Sequence, residues 1–274
     1  MRNTRVRRDW LQTPVVTYRH RSTGRLVGMM HIGVPAYFEA VAATVADLER
    51  AGAVVQFEGV RPPTAEELAD ATDAELAAVA RFDEFVAFVT AISGTLGWVV
   101  QRAEEGLPYP DRWTNVDMDV LQLVRLVTPP VIERTLGKSA GTATLLGEHS
   151  VETSRALLSL ALRLAMSPAP AAAMSLAGGR DGRRDRRALQ ASVLDGRNEV
   201  ALAGVKAAGR TDDVVLIWGA AHLPGMGEVL RAWGYHQTSV KWLSVGPVMK
   251  VWTVLRTVLR GLADERRRAE ETAT

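Results

Sequence analysis

Two histidines of this chain follow the same short pattern. Residues 28–31 read Gly-Met-Met-His and residues 219–222 read Gly-Ala-Ala-His, and each tetrapeptide directly follows an apolar run. Such a run is typical of a buried β-strand. Because a parallel α/β sheet binds ligands at the carboxyl ends of its strands, a strand that leads into Gly-x-x-His delivers its imidazole to that edge. The repetition predicts that His31 and His222 share one site.

Glu58 follows a third apolar segment, residues 54–57. Burial of its carboxylate is costly unless a cation or a hydrogen-bond donor compensates, which favours a functional role. Together, His31, Glu58 and His222 offer the donor types of a divalent metal site for Mn, Co, Zn or Fe. The same three groups can also activate water without an ion, and the sequence leaves both alternatives open.

Arg197 and Asn198 are the candidates for orienting a substrate. A helix is predicted over residues 185–208, with Val193 and Val200 on its apolar face. Arg197 follows Val193 by four residues and precedes Val200 by three, so it lies near the buried stripe. Its guanidinium can hold a substrate carboxylate or a developing oxyanion. The alternatives are an ion pair with Glu58 and a helix-edge arginine that caps nearby carbonyls.

The remaining candidates carry a weaker signal. Gly28 and Gly219 begin the two Gly-x-x-His patterns and complete the candidate substrate-binding set. Asp117 and Asp119 are two residues apart, so they share one face of any strand that contains them. Such a pair suits a metal ion or two helix N-caps, and the sequence favours caps.

Composition excludes several classes of protein. The 274 residues are 47% hydrophobic and 23% charged, with 33 basic and 31 acidic residues, which is typical of a globular chain. Without cysteine there is no disulfide, no thiolate nucleophile and no cysteine-based metal site. The basic clusters at residues 2–8 and 180–187 have no interleaved aromatic residues, so we expect no nucleic-acid partner. No signal-peptide pattern follows the basic start, so a cytoplasmic location is expected.

Hydrophobic periodicity predicts an α/β fold with a mainly parallel central sheet flanked by helices. The segments around the candidate site are a hairpin of residues 15–19 and 26–31, a helix at 34–52, a strand at 53–57, a strand at 213–218, a helix at 223–233 and a strand or hairpin at 235–245. The strand, helix and strand between residues 26 and 57 form a βαβ unit, whose strands are parallel and usually adjacent. Adjacent strands about 4.8 Å apart would hold His31 and Glu58 within reach of one ion.

We expect a single domain over residues 1–274 with two additions. Residues 64–176 are predicted to be a helical insertion that serves as a lid or dimer element, and residues 246–274 an amphipathic helix and tail. The insertion contains predicted helices at 64–103, 119–127, 131–136 and 150–166, and a short strand within 113–119. The apolar helices at 84–101 and 248–262 suit a membrane surface or a homodimer, and the dimer is favoured.

The motifs resemble those of the TraB/Tiki/GumN-like family, which is similar in fold to erythromycin esterases and ChaN-like haem-binding proteins. The resemblance depends on four segments: Leu-Val-Gly-Met-Met-His31, Phe-Glu58-Gly, Asp-Gly-Arg197-Asn198-Glu and Gly-Ala-Ala-His222-Leu-Pro-Gly. It covers residues 25–60 and 185–245 and not the middle of the chain. The family often has Thr where this chain has Met29, so a hydroxyl that orients a ligand or water is missing here.

The resemblance implies a metal-dependent hydrolase, peptidase-like in the Tiki branch, with His31, Glu58 and His222 at its centre. It implies a small-molecule or peptide substrate and leaves the substrate itself unidentified. The erythromycin esterase likeness implies that the same trio can act on water without metal. Two alternatives stay open from the sequence: a protein that binds a haem-like ligand without turnover, and a scaffold with a degenerate site.

Overall fold

A computed structural model describes residues 3–20, 23–130, 132, 149–165, 190–207 and 213–272 of the chain. The strands are β1 (Arg5–Arg7), β2 (Trp10–Arg19), β3 (Thr23–Met29), β4 (Ile32–Gly33), β5 (Val54–Phe57), β6 (Val99–Val100), β7 (Thr114–Asn115), β8 (Val214–Gly219) and β9 (His236–Pro247). The α-helices are α1 (Pro35–Arg50), α2 (Ala65–Ala69), α3 (Asp73–Leu96), α4 (Val120–Val127), α5 (Val151–Ala165), α6 (Arg197–Ala207), α7 (Leu223–Ala232) and α8 (Val251–Thr272). Apart from Ile132, the predicted helix at 131–136 lies outside the described residues, and so does the basic cluster at 180–187.

The centre of the sheet is parallel. Strands β3, β8, β5 and β7 lie side by side in this order and run in one direction. Beyond β3 the sheet continues with antiparallel strands, since β2 pairs with β1 and β3 along one side and with β9 along the other. The predicted fold class is confirmed, and the predicted hairpin is the β2–β3 pair.

The expectation that the two strands of the βαβ unit are adjacent was wrong. Strand β8 lies between β3 and β5 and pairs with both of them in parallel. Its sequence explains the central position, because Val-Val-Leu-Ile-Trp-Gly is buried along its entire length and parallel strands covered on both faces are continuously apolar. The three strands that lead to the candidate site residues are therefore neighbours, with β8 in the middle.

Helices cover both faces of the sheet. Val215 and Ile217 of β8 face one side, where they pack in a cluster with Phe38 and Val41 of α1. Their neighbours in sequence face the other side and pack against α6 and α7. This alternation follows from the period of two along a strand. The helices α1 and α7 each have a proline in the first turn, where its missing N–H costs no hydrogen bond.

The segment that leads into α6 is a π-helix, residues 190–196. Its wider turn rotates the residues that follow relative to an α-helix, so Val193 and Val200 do not share a face. Val200 is exposed, contrary to the sequence expectation, whereas Arg197 and Asn198 are buried. A π-helical turn is rare and costs hydrogen-bond geometry, and here it lies directly before two candidate site residues.

The middle of the chain contains α2 to α5 and also contributes β7 to the main sheet and β6 to a small sheet with β4. Helix α8 packs on α5 where Gly261 lies against Thr153. Its opposite face exposes the apolar side chains of Trp252, Leu255 and Leu259. No helix among the described residues is long and apolar enough to cross a membrane.

Replacement of Phe38 by alanine tests the packing of α1 on the sheet. Phe38 is fully buried, so Phe38→Ala should lower the free energy of unfolding by about 3–5 kcal/mol through lost burial and the cavity left behind. Val86→Ala on α3 is the control, because Val86 is 60% exposed and its loss should cost less than about 0.5 kcal/mol. Urea denaturation measures both, and equal stabilities of the two variants would contradict this packing.

Candidate functional site

The candidate site is built over Gly219, the last residue of the central strand β8. A Cβ atom added to Gly219 would lie 3.0 Å from Glu58 Oε2, 3.3 Å from His31 Nε2 and 3.5 Å from His222 Cδ2. His31 approaches from the β3 side, Glu58 from the end of β5, and His222 from the short 3₁₀ turn after β8. The structure thus brings the three predicted residues together over a position that has no side chain.

Both imidazoles present Nε2 to the same carboxylate oxygen. The distance from His31 Nε2 to Glu58 Oε1 is 3.9 Å, and that from His222 Nε2 to Glu58 Oε1 is 3.7 Å. The two histidines differ in exposure: the side chain of His31 is 55% exposed and that of His222 is 4% exposed. His31 is therefore the member of the pair that a substrate in solvent can reach.

An amide oxygen holds the other ring nitrogen of each histidine. Asn198 Oδ1 lies 2.9 Å from His222 Nδ1, and Gln101 Oε1 lies 2.6 Å from His31 Nδ1. Because an amide oxygen only accepts hydrogen bonds, each Nδ1 donates its proton to that oxygen, and the lone pair of the neutral ring is then on Nε2. This outer support sets both rings in the tautomer that a metal ligand or a general base requires.

Glu58 is an ionised carboxylate with both oxygens occupied. Arg197 Nη2 donates to Oε1 at 2.6 Å, and the backbone N–H of Gly219 donates to Oε2. Burial raises the pKa of Glu58, but the positive charges of His31, Arg197 and His222 and the Gly219 N–H outweigh it and lower the pKa to about 2. Glu58 consequently stays charged at neutral pH and is a weak base.

Arg197 is held by a second buried carboxylate, Asp117. The guanidinium donates from Nε to Oδ1 at 3.0 Å and from Nη2 to Oδ2 at 2.5 Å, which is the paired geometry of a strong charge-assisted contact. The backbone N–H groups of Gly59 and Met118 also donate to Asp117. Burial lowers the pKa of Arg197, but the contacts with Asp117 and Glu58 raise it overall, so the arginine stays charged.

This network corrects two expectations, namely that Asp117 is an N-cap and that Arg197 is free to hold a substrate. Asp117 is not an N-cap but the partner of Arg197, because its carboxylate is turned inward from the segment that follows β7. Asp119, by contrast, is an N-cap: it caps α4 in a reciprocal arrangement with Gln122. Arg197 contacts Asp117, Glu58 and, at 3.5 Å, His222 Nε2, so its guanidinium is engaged by the protein and is not free to hold a substrate carboxylate.

His222 is surrounded by buried groups. Burial lowers its pKa to about 4, with the charge of Glu58 opposing and that of Arg197 adding to the shift. The ring is therefore neutral at neutral pH. Trp218, which the sequence places beside the site, meets the imidazole edge-on with ring centroids 5.1 Å apart, and the Arg197 guanidinium lies 5.3 Å from the centre of the indole.

Sequence reasoning missed the residues that hold His31. Gln101 follows β6, and its backbone N–H donates to the carbonyl oxygen of His31 while its side chain contacts the imidazole. Gln101 also donates to the hydroxyl of Tyr109, whose ring packs against Phe57 at the end of β5. Nothing in the sequence marks these residues, because the segment has no periodicity and its strand pairing near the site is the short β4–β6 pair.

The two candidate glycines have different surroundings. Gly219 lies beneath the three site side chains, as described above. Gly28 lies within β3, where an added Cβ would be 2.9 Å from the carbonyl oxygen of Pro14 and 3.0 Å from Leu223 Cδ2. The structure therefore places Gly28 in the packing between β2 and α7 and not among the site side chains. Met29, on the opposite face of the strand, is buried in the core.

The fit of a divalent ion is limited by Arg197. Ligand atoms about 2.1 Å from a tetrahedral ion lie roughly 3.4 Å apart, and the two N–O distances of this site are slightly longer than that. The guanidinium donates to Glu58 Oε1 and lies 3.5 Å from His222 Nε2, so a fixed positive charge faces the same atoms as an ion would. Among the described residues, no group of three or more His, Asp or Glu side chains has the arrangement of a metal site. With Arg197 in contact with Glu58, the three residues do not fit a metal ion. Metal binding, which requires Arg197 to move away, stays a prediction.

Comparisons with protein-family models, with curated proteins and with solved structures found no match to this chain. The resemblance to the TraB/Tiki/GumN-like family therefore stays a prediction.

The neutral state of His222 predicts a dependence of stability on pH. Its folded pKa of about 4 lies below its ordinary value of 6.5, so the unfolded chain takes up a proton first as the pH falls. The stabilisation is complete above pH 6.5 and decreases towards pH 4, by a total on the order of 3 kcal/mol. Urea denaturation between pH 8 and pH 4 measures this decrease.

His222→Gln is the matched variant, since it keeps a polar side chain but removes the titration. Its free energy of unfolding should change less with pH over the same window. A pH profile parallel to that of the wild type would show that His222 does not remain neutral in the folded protein. The pKa of Glu58 is lowered from 4.5 to about 2, so its stabilisation is present above pH 4.5 and is lost only as the pH falls below that value.

Removal of the buried guanidinium should leave two carboxylates unpaired. Arg197→Met is expected to lower the free energy of unfolding by about 3–5 kcal/mol. The control is Arg112→Met, because Arg112 pairs with Glu49 and is 65% exposed, so its loss should cost no more than about 1 kcal/mol. Addition of Glu58→Gln and Asp117→Asn to Arg197→Met should restore part of the loss. An Arg197→Met protein as stable as the control would refute the buried network.

Proposed function

We propose that this protein is a hydrolase in which His31 activates a water molecule beside Glu58 for attack on a carbonyl carbon. The substrate class is an ester or amide of a small molecule or peptide. The observation that supports this proposal most directly is the convergence of two Nε2 lone pairs, each fixed by an amide, on one ionised carboxylate. Such an arrangement has a cost in buried polar groups that packing alone does not require.

His31 is the general base of this proposal. Its Nε2 has a lone pair, its ring is oriented by Gln101, and its side chain is 55% exposed. A water molecule about 2.8 Å from each partner can bridge His31 Nε2 and Glu58 Oε1, which are 3.9 Å apart. Such a water donates both protons to the protein and directs its own lone pairs towards the substrate.

Glu58 has an electrostatic role and is not the base. A carboxylate with a pKa of about 2 holds a proton poorly at neutral pH. Its charge, 3.9 Å from His31 Nε2, stabilises the imidazolium that forms when His31 takes the proton from water. Arg197 and Asp117 keep this carboxylate in place, and Asn198 holds His222 against its other side.

The reaction proceeds in two steps. In the first, the oxygen of the water forms a bond to the carbonyl carbon while His31 Nε2 takes one proton, and the carbonyl becomes an oxyanion. In the second, the oxyanion collapses, the bond to the leaving oxygen or nitrogen breaks, and the imidazolium returns its proton to that atom. No proton or electron is left over, and no further reactant is needed.

The metal-dependent form of the hydrolase is the alternative that the sequence resemblance implies. In that form His31, Glu58 and His222 would hold the ion, and Arg197 would first have to leave Glu58. Elemental analysis of protein purified without metal-affinity steps separates the two forms. Binding of a haem-like ligand without turnover, the third reading, would give a visible absorption band. A cytoplasmic location and a homodimer are further parts of the proposal that cell fractionation and sedimentation test.

Filling the space above Gly219 tests the proposed function. Gly219→Ala places a methyl group 3.0 Å from Glu58 Oε2 and 3.3 Å from His31 Nε2, so the bridging water is displaced and kcat for a hydrolysed ester or peptide should fall by at least roughly 100-fold. Gly94→Ala is the control, because nothing lies within 4 Å of a Cβ added there, and it should retain full activity.

His31→Ala should lower kcat by a similar factor, and exogenous imidazole should restore part of the rate. The substrate is found first by screening acyl esters, amides and short peptides with the wild-type protein. Wild-type protein that hydrolyses none of them, or a His31→Ala variant with wild-type kcat, would overturn the proposal. Activity that is lost with chelator and regained with one metal would favour the metal-dependent form.

A further inference from the structure

Arg197 does not offer its positive charge to an anionic group that approaches the site from solvent. Recognition of a carboxylate or phosphate group of a substrate needs a cation that this group can reach. The Arg197 side chain is only 7% exposed and contacts Glu58 and Asp117. The question is which other cation of the described residues lies next to the site and is free.

Arg102 is such a cation. Its guanidinium lies against Gly59, the residue after Glu58: a Cβ added to Gly59 would be 2.5 Å from Arg102 Nη2. It also lies over the ring of Tyr109, with Cζ 5.9 Å from the centroid. Tyr109 contacts Gln101, which holds His31. Arg102 is thus connected to both members of the proposed water-activating pair, through Gly59 to Glu58 and through Tyr109 to His31.

The guanidinium of Arg102 is unpaired within the part of the chain that the structure describes. Among the described residues it forms no ion pair and no hydrogen bond, and the residue is exposed. The two site carboxylates face inward, since the side chain of Glu58 is 6% exposed and that of Asp117 is fully buried. Of the site's ionisable side chains discussed above, Arg102 and His31 are the ones exposed to solvent in the described part of the chain, and a guanidinium at this position favours a negative group of a ligand.

We infer that Arg102 is the anion-recognition residue of the site and that the substrate carries a carboxylate or phosphate group near the bond that is cleaved. This inference rests on the proposed function, because only an enzyme has a substrate to recognise, and it concerns the same site. A guanidinium presents two parallel N–H donors to a planar carboxylate or to two phosphate oxygens. The cation–π contact with the ring of Tyr109 favours this position of the guanidinium.

Anion binding can be measured without any turnover. Isothermal titration calorimetry with inorganic phosphate and with acetate compares the wild type with Arg102→Gln, Arg102→Lys and His31→Ala. The wild type should bind at least one of the two anions, and which one it prefers distinguishes a phosphate from a carboxylate group. Arg102→Gln should weaken that binding by roughly 10- to 100-fold through the loss of one charged, paired contact. Arg102→Lys, which keeps the charge without the fork, should lie between them.

Two further variants make the test specific. Arg112→Gln removes another exposed arginine of the same segment, one that pairs with Glu49, and should bind the anions as the wild type does. Gly59→Ala keeps the charge but displaces the guanidinium and should weaken binding as Arg102→Gln does. Wild-type affinity in Arg102→Gln, or equal losses in Arg112→Gln, would overturn the inference.

The outcome separates this inference from the proposed function. Anion binding that depends on Arg102 and persists in His31→Ala supports the inference even if no hydrolysis is found. If hydrolysis is found, kcat/KM for an anionic ester relative to its neutral analogue should fall about 10- to 100-fold in Arg102→Gln. If the enzyme is active and this ratio is unchanged, the role of Arg102 in anion recognition is refuted and the proposed hydrolase function is not.

Discussion

The buried contact between Arg197 and its two carboxylates is the interaction on which the site depends. The side chains of Glu58 and Asp117 are enclosed by protein, and the guanidinium between them compensates the cost of burying both carboxylates. The contact links β5, the segment after β7, and α6, which are far apart in the sequence. It therefore holds the helical layer against the strand ends, and it also keeps Glu58 charged beside the two imidazoles.

The position of β8 explains how three side chains meet across two neighbouring strand pairs. A residue with a side chain at the end of the central strand would occupy the space into which His31 and Glu58 extend, whereas Gly219 leaves it open and gives its N–H to Glu58. The outer amides then define the chemistry, because Asn198 and Gln101 direct both Nε2 atoms towards the carboxylate. The strand order thus supplies proximity, and hydrogen bonds of the surrounding elements supply orientation.

The sequence predicted the parts of this site that depend on local patterns. Apolar runs that end in Gly-x-x-His or in Glu identified His31, Glu58 and His222, and helical spacing placed Arg197 near a buried face. It did not predict that β8 separates β3 from β5, because pairing order depends on tertiary packing. Gln101 and Arg102 were not recognised as site residues, and Asp117 was a weaker candidate for which a helix cap was favoured, since each lies in an irregular segment without periodicity. The exposure of Val200 was missed because a π-helical turn has no sequence signature that we could recognise.

Nitrogen-15 NMR of the imidazole rings tests the central claim most directly. At pH 8 the account predicts that both His31 and His222 carry their proton on Nδ1 and have an unprotonated Nε2, and that His222 remains neutral as the pH is lowered to about 5. The signals are assigned by their loss in His31→Ala and His222→Gln. A proton on Nε2 of either ring at pH 8, or a His222 that gains charge near its ordinary pKa of 6.5, would contradict the account.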